Sequence, residues 1–342
     1  MSRKNLSVKI KIPKLIREKL NNKKINKIYK KFEKSLNLED NFIVAVSGGA
    51  DSLALAFFSK VYSFKKGINP KYYIVDHKLR SDSSVEAKKV RKVLRKLSIK
   101  AEILIWHGTK PKKNIQSLAR KKRYQLLFDK CKKFKIVNLL LGHHQNDLIE
   151  NFFIRILRGS GLKGLTSFSK KTSINNINLL RPLLEIKKED LMFVTKSVFG
   201  FFISDPSNND DKFQRIRIRK LIKILKFNGL DNKKFNKTIT NLRYSNFVIN
   251  SDVMENLKNN TFFSYNQNKM IINNEFFNQP YEIVFRSFSN CLKIVGKRYY
   301  NVRGKKLDNI ILKIRNNSDF KATLGGCIIK KVNQTIIVSK EH

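Results

Sequence analysis

Cysteine, acidic residues and long apolar runs are all scarce in this chain of 342 residues. The three cysteines, Cys131, Cys291 and Cys327, stand far apart and form no CxxC pair. That argues against a disulfide framework, a zinc ribbon and a thiol-relay pair, and it fits a reducing compartment. No apolar run is long enough to cross a bilayer. The N-terminal stretch is basic but lacks the apolar centre of a signal peptide. A cytoplasmic location without a membrane partner is therefore expected, with residues 1–40 forming a basic arm, either a helical lead-in or a flexible segment.

The shortage of acids is the most informative absence. Asp and Glu number 26 against 72 Lys and Arg, a net charge of +46. Drift towards AT-rich codons accounts for part of the lysine but not for the missing acids. A polyanionic partner accounts for both, because neutralised phosphates release counterions and steer association. Hydrophobic residues make up 41% and aromatics 11% of the chain, enough for a real core, and the length predicts two or three domains.

Short apolar runs rich in β-branched residues recur at 41–46, 72–76, 102–106 and 136–141. Helical patterns lie between and after them at 53–64, 83–97, 116–134 and 147–157, the second opening on a Ser83-to-Glu86 capping box. Strands apolar throughout, alternating with helices, predict a doubly wound parallel sheet covered on both faces, spanning 41–212. Beyond a polar turn at 205–211, a basic amphipathic helix at 213–227 opens a helical region that runs to 260. Short strand-like runs then predict a small α/β C-terminal domain at 261–342. No internal repeat is visible.

Residues 47–52 (SGGADS) join the first strand to the first helix. Gly48 and Gly49 let the backbone turn sharply and approach an anion, and the amides of the helix start point at it. Ser47 and Ser52 add hydroxyls, and Ala50 completes the turn. Asp51 would repel a phosphate unless a cation bridges the two, which predicts Mg²⁺. The loop has no lysine and the wrong length for a GxxxxGK[ST] P-loop. Past the fourth strand, His143 and His144 sit where α/β sheets bind ligands. Asp147 and Glu150 share one face of the following helix. Arg120 and Arg123, with Tyr124, are three apart on an earlier helix and suit bidentate phosphate contact. Arg215, Arg217 and Arg219 alternate and spread over two helix faces.

The SGGxDS loop in this setting resembles the PP-loop of the N-type ATP pyrophosphatases, which cleave ATP between the α- and β-phosphates to adenylate a substrate. VDHKLR at 75–80, NIQSLARKKRY at 114–124, LGHHQNDLIENFFIRILRGSG at 141–161, LKGL at 162–165 and RPLL at 181–184 follow in order. Together they resemble the tRNA(Ile)-lysidine synthase family, closely from about 42 to 219 and less specifically at TLGGC (323–327). The chain departs from the family's DDxxET pattern, with Asn146 for the first acid and Asn151 for the threonine.

The resemblance implies an adenine nucleotide α-hydrolase-like fold, with 213–260 as a tRNA-binding region. It implies ATP bound at residues 47–52 with Mg²⁺ linked to Asp51. The substrates would be tRNA(Ile) with a CAU anticodon and L-lysine, and pairing of family members makes a homodimer an expectation. It makes Asp51, His143, Asp147 and Glu150 the catalytic candidates, the last three for holding or deprotonating lysine. Arg120, Arg123, Arg215 and Arg217 become candidate tRNA or phosphate contacts, with one arginine of the 215–219 group alternatively reaching the active site. A tRNA thiolase on the same fold would need a reactive cysteine pair or an iron–sulfur cluster. A small-molecule ligase leaves the charge unexplained, and a non-catalytic RNA-binding protein has no use for Asp51, Asp147 and Glu150 together.

Overall fold

The structure, a computed structural model, describes residues 12–108, 115–204, 212, 214–264, 266, 268–297, 302, 304–316 and 320–341. The polar turn expected at 205–211 lies outside them. The chain divides into two compact units at Asp231.

In the first unit the order is α1 (Lys14–Asn21), α2 (Lys23–Lys34), β1 (Phe42–Val46), α3 (Ala50–Lys66), β2 (Lys71–Asp76), α4 (Ser83–Arg95), β3 (Ala101–Ile105), α5 (Ile115–Lys133), β4 (Asn138–Leu140), α6 (Gln145–Ile156), α7 (Leu162–Leu165), β5 (Lys171–Ile174), β6 (Ile177–Leu180), α8 (Lys188–Phe199) and α9 (Gln214–Phe227). The strands form one sheet in the order β3-β2-β1-β4-β6-β5. All pairings are parallel except the edge strand β5, which runs antiparallel to β6. That edge hairpin was not expected from the sequence. Its turn carries Asn175 and Asn176 at positive φ, where asparagine is tolerated better than most residues.

Side chains alternate across β1. Phe42, Val44 and Val46 join one core with α1, α2, α3 and α8, whereas Ile43 joins a second core with Leu127 and Cys131 of α5. Each fully buried aliphatic or aromatic side chain contributes about 1.5–3 kcal/mol. Helix α3 is apolar nearly all round, with Leu53 to Phe58 all buried, because it lies between the sheet and the α1, α2 and α8 layer. The N-terminal helices belong to this core: Ile16, Leu20, Ile25, Ile28, Tyr29 and Phe32 are buried in it, while their lysines face outward.

The capping box expected at Ser83 does not form. The N-cap of α4 is Asp82, without a side-chain cap bond. Glu86 instead pairs with Arg80 at 2.8 Å, and the Ser84 hydroxyl donates to Asp76 Oδ2 at 2.6 Å.

The second unit begins with the long α10 (Asn232–Asn260). It continues through β7 (Thr261–Ser264), β8 (Lys269–Ile272), α11 (Glu275–Asn278), α12 (Tyr281–Val295), α13 (Gly304–Asn316), β9 (Phe320–Leu324), β10 (Cys327–Val332) and β11 (Thr335–Lys340). Its antiparallel sheet, ordered β7-β8-β11-β10-β9, has its own core built on Phe276, Phe288, Leu292 and Val338. Within α12, buried Arg286 meets Glu282 at 2.7 Å and donates from Nη1 to Asn246 and Asn250 of α10 at 2.7 and 3.1 Å. All three cysteines are buried thiols, none in a disulfide.

Candidate active site

Strand order creates the site. The chain leaves β1 towards β2 on one side, whereas β4 lies on the other. The carboxyl ends of β1 and β4 therefore flank a topological switch point, where open α/β sheets bind ligands. The SGGADS loop leaves β1 there, and residues 141–147 leave β4.

The loop is braced from inside. Ser52 Oγ accepts hydrogen bonds from the Ser47 and Gly48 amides, both at 3.1 Å, and donates to the Gly49 carbonyl at 2.9 Å. Ser47 Oγ donates to Ser52 Oγ at 3.2 Å. The Ser52 hydroxyl thus shapes the turn, a different task from the anion donor expected of it. Gly48 has φ +89°, and a Cβ there would fall 2.6 Å from Val90 and 2.7 Å from Ile203. Behind the loop, Thr195 of α8 donates to the Ala50 carbonyl at 2.7 Å. From the other side, Gly142 lies against the start of α3, where a Cβ would stand 3.2 Å from the Ser52 backbone. What remains facing outward is the first turn of α3 with Asp51.

Asp51 Oδ1 is buried without a hydrogen-bond partner. Burial raises the carboxyl above its usual range, opposed by His144, reinforced by Asp147 and opposed by Lys188. An orphaned carboxylate oxygen beside an anion cradle fits a cation. No group of three or more His, Cys, Asp or Glu able to hold a metal occurs among the described residues. One carboxylate beside a phosphate cradle is the kind of site Mg²⁺ uses, completing its shell with phosphate oxygens and water.

His144, rather than His143, is the imidazole held against the acids. It is the N-cap of α6: its Nδ1 accepts from the Asn146 amide at 3.2 Å, and Asp147 Oδ2 accepts from the His144 amide at 3.0 Å. With Nδ1 accepting, the ring proton lies on Nε2. That atom stands 3.5 Å from Asp51 Oδ2 and 3.6 Å from Asp147 Oδ2. One imidazole therefore links the loop after β1 to the helix after β4. Burial disfavours the Asp147 charge, but His144, His143, the His144 amide and Arg215 together hold it below the ordinary carboxylate range.

His143 points elsewhere. It packs edge-on to Phe168 at 5.3 Å, and its Nδ1 has no partner. Burial lowers its pKa to about 3; Asp147 opposes this, and Arg181, Arg120 and Arg215 add to it. It is a neutral, weak base. Glu150, only 2% exposed, is taken by α9: Arg219 donates to it at 2.7 Å, and Arg215 stands 3.8 Å away. Burial works against the Arg219 charge, but Glu150, Asp147 and Asp51 raise its pKa.

Helix α9 therefore divides its arginines by face. Arg215 and Arg219 turn inward, and Arg217 is exposed, donating to the Lys212 carbonyl at 3.2 Å. On α5, Arg120 lies over the Tyr124 ring at 5.2 Å. Burial lowers the Arg123 pKa, Tyr124 opposes, and Arg120 and Arg215 lower it further. Buried Arg181 lies over Phe168 at 4.8 Å and donates to Ser169 and Thr172, both at 2.9 Å. Arginines from three elements thus converge on Tyr124 and His143.

The sequence places His144 beside His143 at this edge and Arg219 in an arginine group with one member reaching the site. It assigns the catalytic histidine to His143, however, and names none of Arg219, Arg181 and Gly142 as a site residue. A His-x-x-Asp pattern at a helix start was the available signal for His144.

The PP-loop domain family matches residues 18–225. Two curated relatives are tRNA(Ile)-lysidine synthases. The one from Orientia tsutsugamushi is 33% identical over 306 residues, 87% of this chain and 69% of the relative. The one from Rickettsia akari is 30% identical over 334 residues, 92% of this chain and 74% of the relative. The chain belongs to the tRNA(Ile)-lysidine synthases, PP-loop ligases that use ATP. In fold, it is similar to a U34-tRNA thiolase from Methanococcus maripaludis, with a TM-score of 0.55 over 65% of this chain and 78% of the thiolase at 16% identity. No helix among the described residues is long and apolar enough to cross a membrane.

Proposed function

We propose that this chain ligates L-lysine to C2 of the wobble cytidine in the CAU anticodon of tRNA(Ile), forming lysidine and switching decoding from AUG to AUA. The observation that carries the reading is the Asp51–His144–Asp147 cluster at the mouth of a phosphate cradle, in a chain of this family. The cytidine O2 attacks the α-phosphate of ATP, the bond to pyrophosphate breaks, and the base is adenylated. The lysine ε-amine then attacks C2, the C2–O bond breaks, and AMP leaves with the oxygen.

The α3 amides and the Gly48–Gly49 turn hold the polyphosphate. Mg²⁺ held at Asp51 would neutralise charge on the phosphates and the departing pyrophosphate. Asp147, held ionised, suits the cationic lysine. His143 and Asp147 are both weak bases, so positioning the amine is their contribution rather than deprotonating it. Glu150 holds Arg219 at the site wall, where the guanidinium faces developing phosphate charge. Arg120, Arg123, Arg181 and exposed Arg217 supply the cationic surface for the anticodon arm, whose target base is splayed out to be read.

The test is incubation of purified protein with unmodified tRNA(Ile) bearing CAU, Mg-ATP and radiolabelled lysine. Label passes to the RNA only with ATP and not with Asp51→Ala. RNA binding without transfer overturns the reading, and AMP release without lysine incorporation assigns a different nucleophile.

A further inference from the structure

The SGGADS cradle brings no cation of its own. A loop of the GxxxxGK[ST] type places a lysine against the β- and γ-phosphates, and residues 47–52 contain none. Mg²⁺ at Asp51 would offset part of the charge on a bound triphosphate. The loop offers no positive side chain for the rest.

Helix α8 carries one in the right place. It is anchored on both sides of the switch point. The Gln145 amide, at the start of α6, donates to the Ile186 carbonyl at 3.2 Å, and Thr195 donates to the Ala50 carbonyl at 2.7 Å. Lys188 stands between these two anchors. At spacings i, i+3 and i+7 it shares one stripe of α8 with Leu191 and Thr195, both 0% exposed. The face that packs on the start of α3 is therefore the face that bears Lys188, which is itself half-buried.

The acids close to Lys188 in sequence are turned elsewhere. Glu185 meets Lys170 at 2.9 Å, and Asp190 meets Lys24 at 3.8 Å. Glu189 is exposed and points about 100° away around the helix. Among the described residues Lys188 makes no ion pair and no hydrogen bond. Its charge is felt at Asp51, where it opposes the effect of burial. A cation in the first turn of a helix also works against the helix dipole, so Lys188 adds nothing to the stability of α8. An anion in the cradle would complete it.

We propose that Lys188 is the phosphate-binding lysine that the loop lacks, reaching the β- and γ-phosphates of ATP from α8. It meets the charge that gathers on pyrophosphate as the bond from the α-phosphorus to the bridging oxygen breaks. The bonding pair leaves on that oxygen, and Lys188 donates hydrogen bonds to the leaving group without passing on a proton. The proposal rests on the ligase reading given above.

The test compares wild type with Lys188→Ala and Lys188→Arg. Equilibrium affinities are measured for Mg-ATP and, separately, for AMP, and lysine transfer to unmodified tRNA(Ile) is followed as ATP is varied. Lys188→Ala keeps its fold, because it removes a cation from a helix start. It binds Mg-ATP about ten-fold or more weakly but AMP within about two-fold, since AMP lacks the two phosphates that the ammonium meets. Its kcat/KM for ATP falls on the order of 10²-fold, while the KM for lysine stays within about two-fold. Lys188→Arg recovers most of the ATP affinity. Equal weakening of ATP and AMP overturns the proposal and leaves Lys188 a counter-ion that only holds Asp51. Unchanged ATP affinity and rate in Lys188→Ala overturn it as well. If wild type transfers no lysine, the ligase reading fails, and the comparison of ATP with AMP still decides the role of Lys188.

Discussion

The carboxyl edge of the parallel sheet and the core of the C-terminal unit treat buried polar groups in opposite ways. In the C-terminal unit, the buried Arg286 guanidinium is met by Glu282, Asn246 and Asn250, and the polar cluster locks one helix onto another. At the sheet edge, Asp51 Oδ1, His77 Nδ1 and His143 Nδ1 are buried with no partner. Leaving such groups unpaired costs free energy, and a fold retains them where a ligand completes them. The polar cavity of the C-terminal unit makes the same point. Arg315 and Lys331, which line it, already donate to the Phe277 and Ile314 carbonyls.

The sharpest break of this comparison is Asp51→Ala. It lowers the rate of lysine transfer on the order of 10³-fold, the scale of a lost metal contact. The denaturation midpoint holds or rises, because burial already penalises that carboxylate. A clear loss of stability would place Asp51 among the structural groups. Arg219→Ala has the next largest effect. It leaves Glu150 buried beside only the more distant Arg215, at a cost of about 3 kcal/mol in a chemical denaturation curve. Glu150→Gln in that background recovers most of the loss. Arg286→Met sits on the other side of the comparison. It costs roughly 1–3 kcal/mol through Asn246 and Asn250 and leaves the affinity for Mg-ATP unchanged.

The smallest effect is a pH slope. Burial holds His143 at about 3 and His77 at about 4, below the ordinary 6.5 of an unfolded histidine. Between pH 6.5 and about 3 to 4 the unfolded chain therefore binds more protons, and stability falls as pH falls through that window. Denaturation midpoints measured from pH 7 to pH 4 fall for wild type and fall less steeply for His143→Gln.

The α/β layering was legible because strands buried on both faces are mostly apolar, and residues 42–46 and 139–141 announce this. The cradle was legible because Gly48, at φ +89°, holds a backbone that residues with a Cβ rarely adopt, and a glycine there announces the turn. The edge hairpin β5–β6 was not, because its short strands are half exposed and carry little signal. The partnership of Glu150 with Arg219 spans 69 residues, and no local pattern encodes it. The choice between His143 and His144 turned on which ring caps α6, a matter of backbone geometry that two adjacent identical letters do not express. The N-terminal helices looked like an arm because lysine dominates their composition, yet every third or fourth residue enters the core.

The hydrogen bonds behind the cradle also set the order in which this protein is made. The Gly48 carbonyl accepts from the Ile203 amide, and the Ala50 carbonyl accepts from Thr195. A chain emerging from the ribosome carries the SGGADS segment long before the residues that close it. At 5–20 residues per second, roughly 8 to 30 s separate the synthesis of Gly48 from that of Ile203. The nucleotide site is therefore completed late, and a nascent chain that has not yet emerged past residue 203 presents ATP with an open turn rather than a finished cradle.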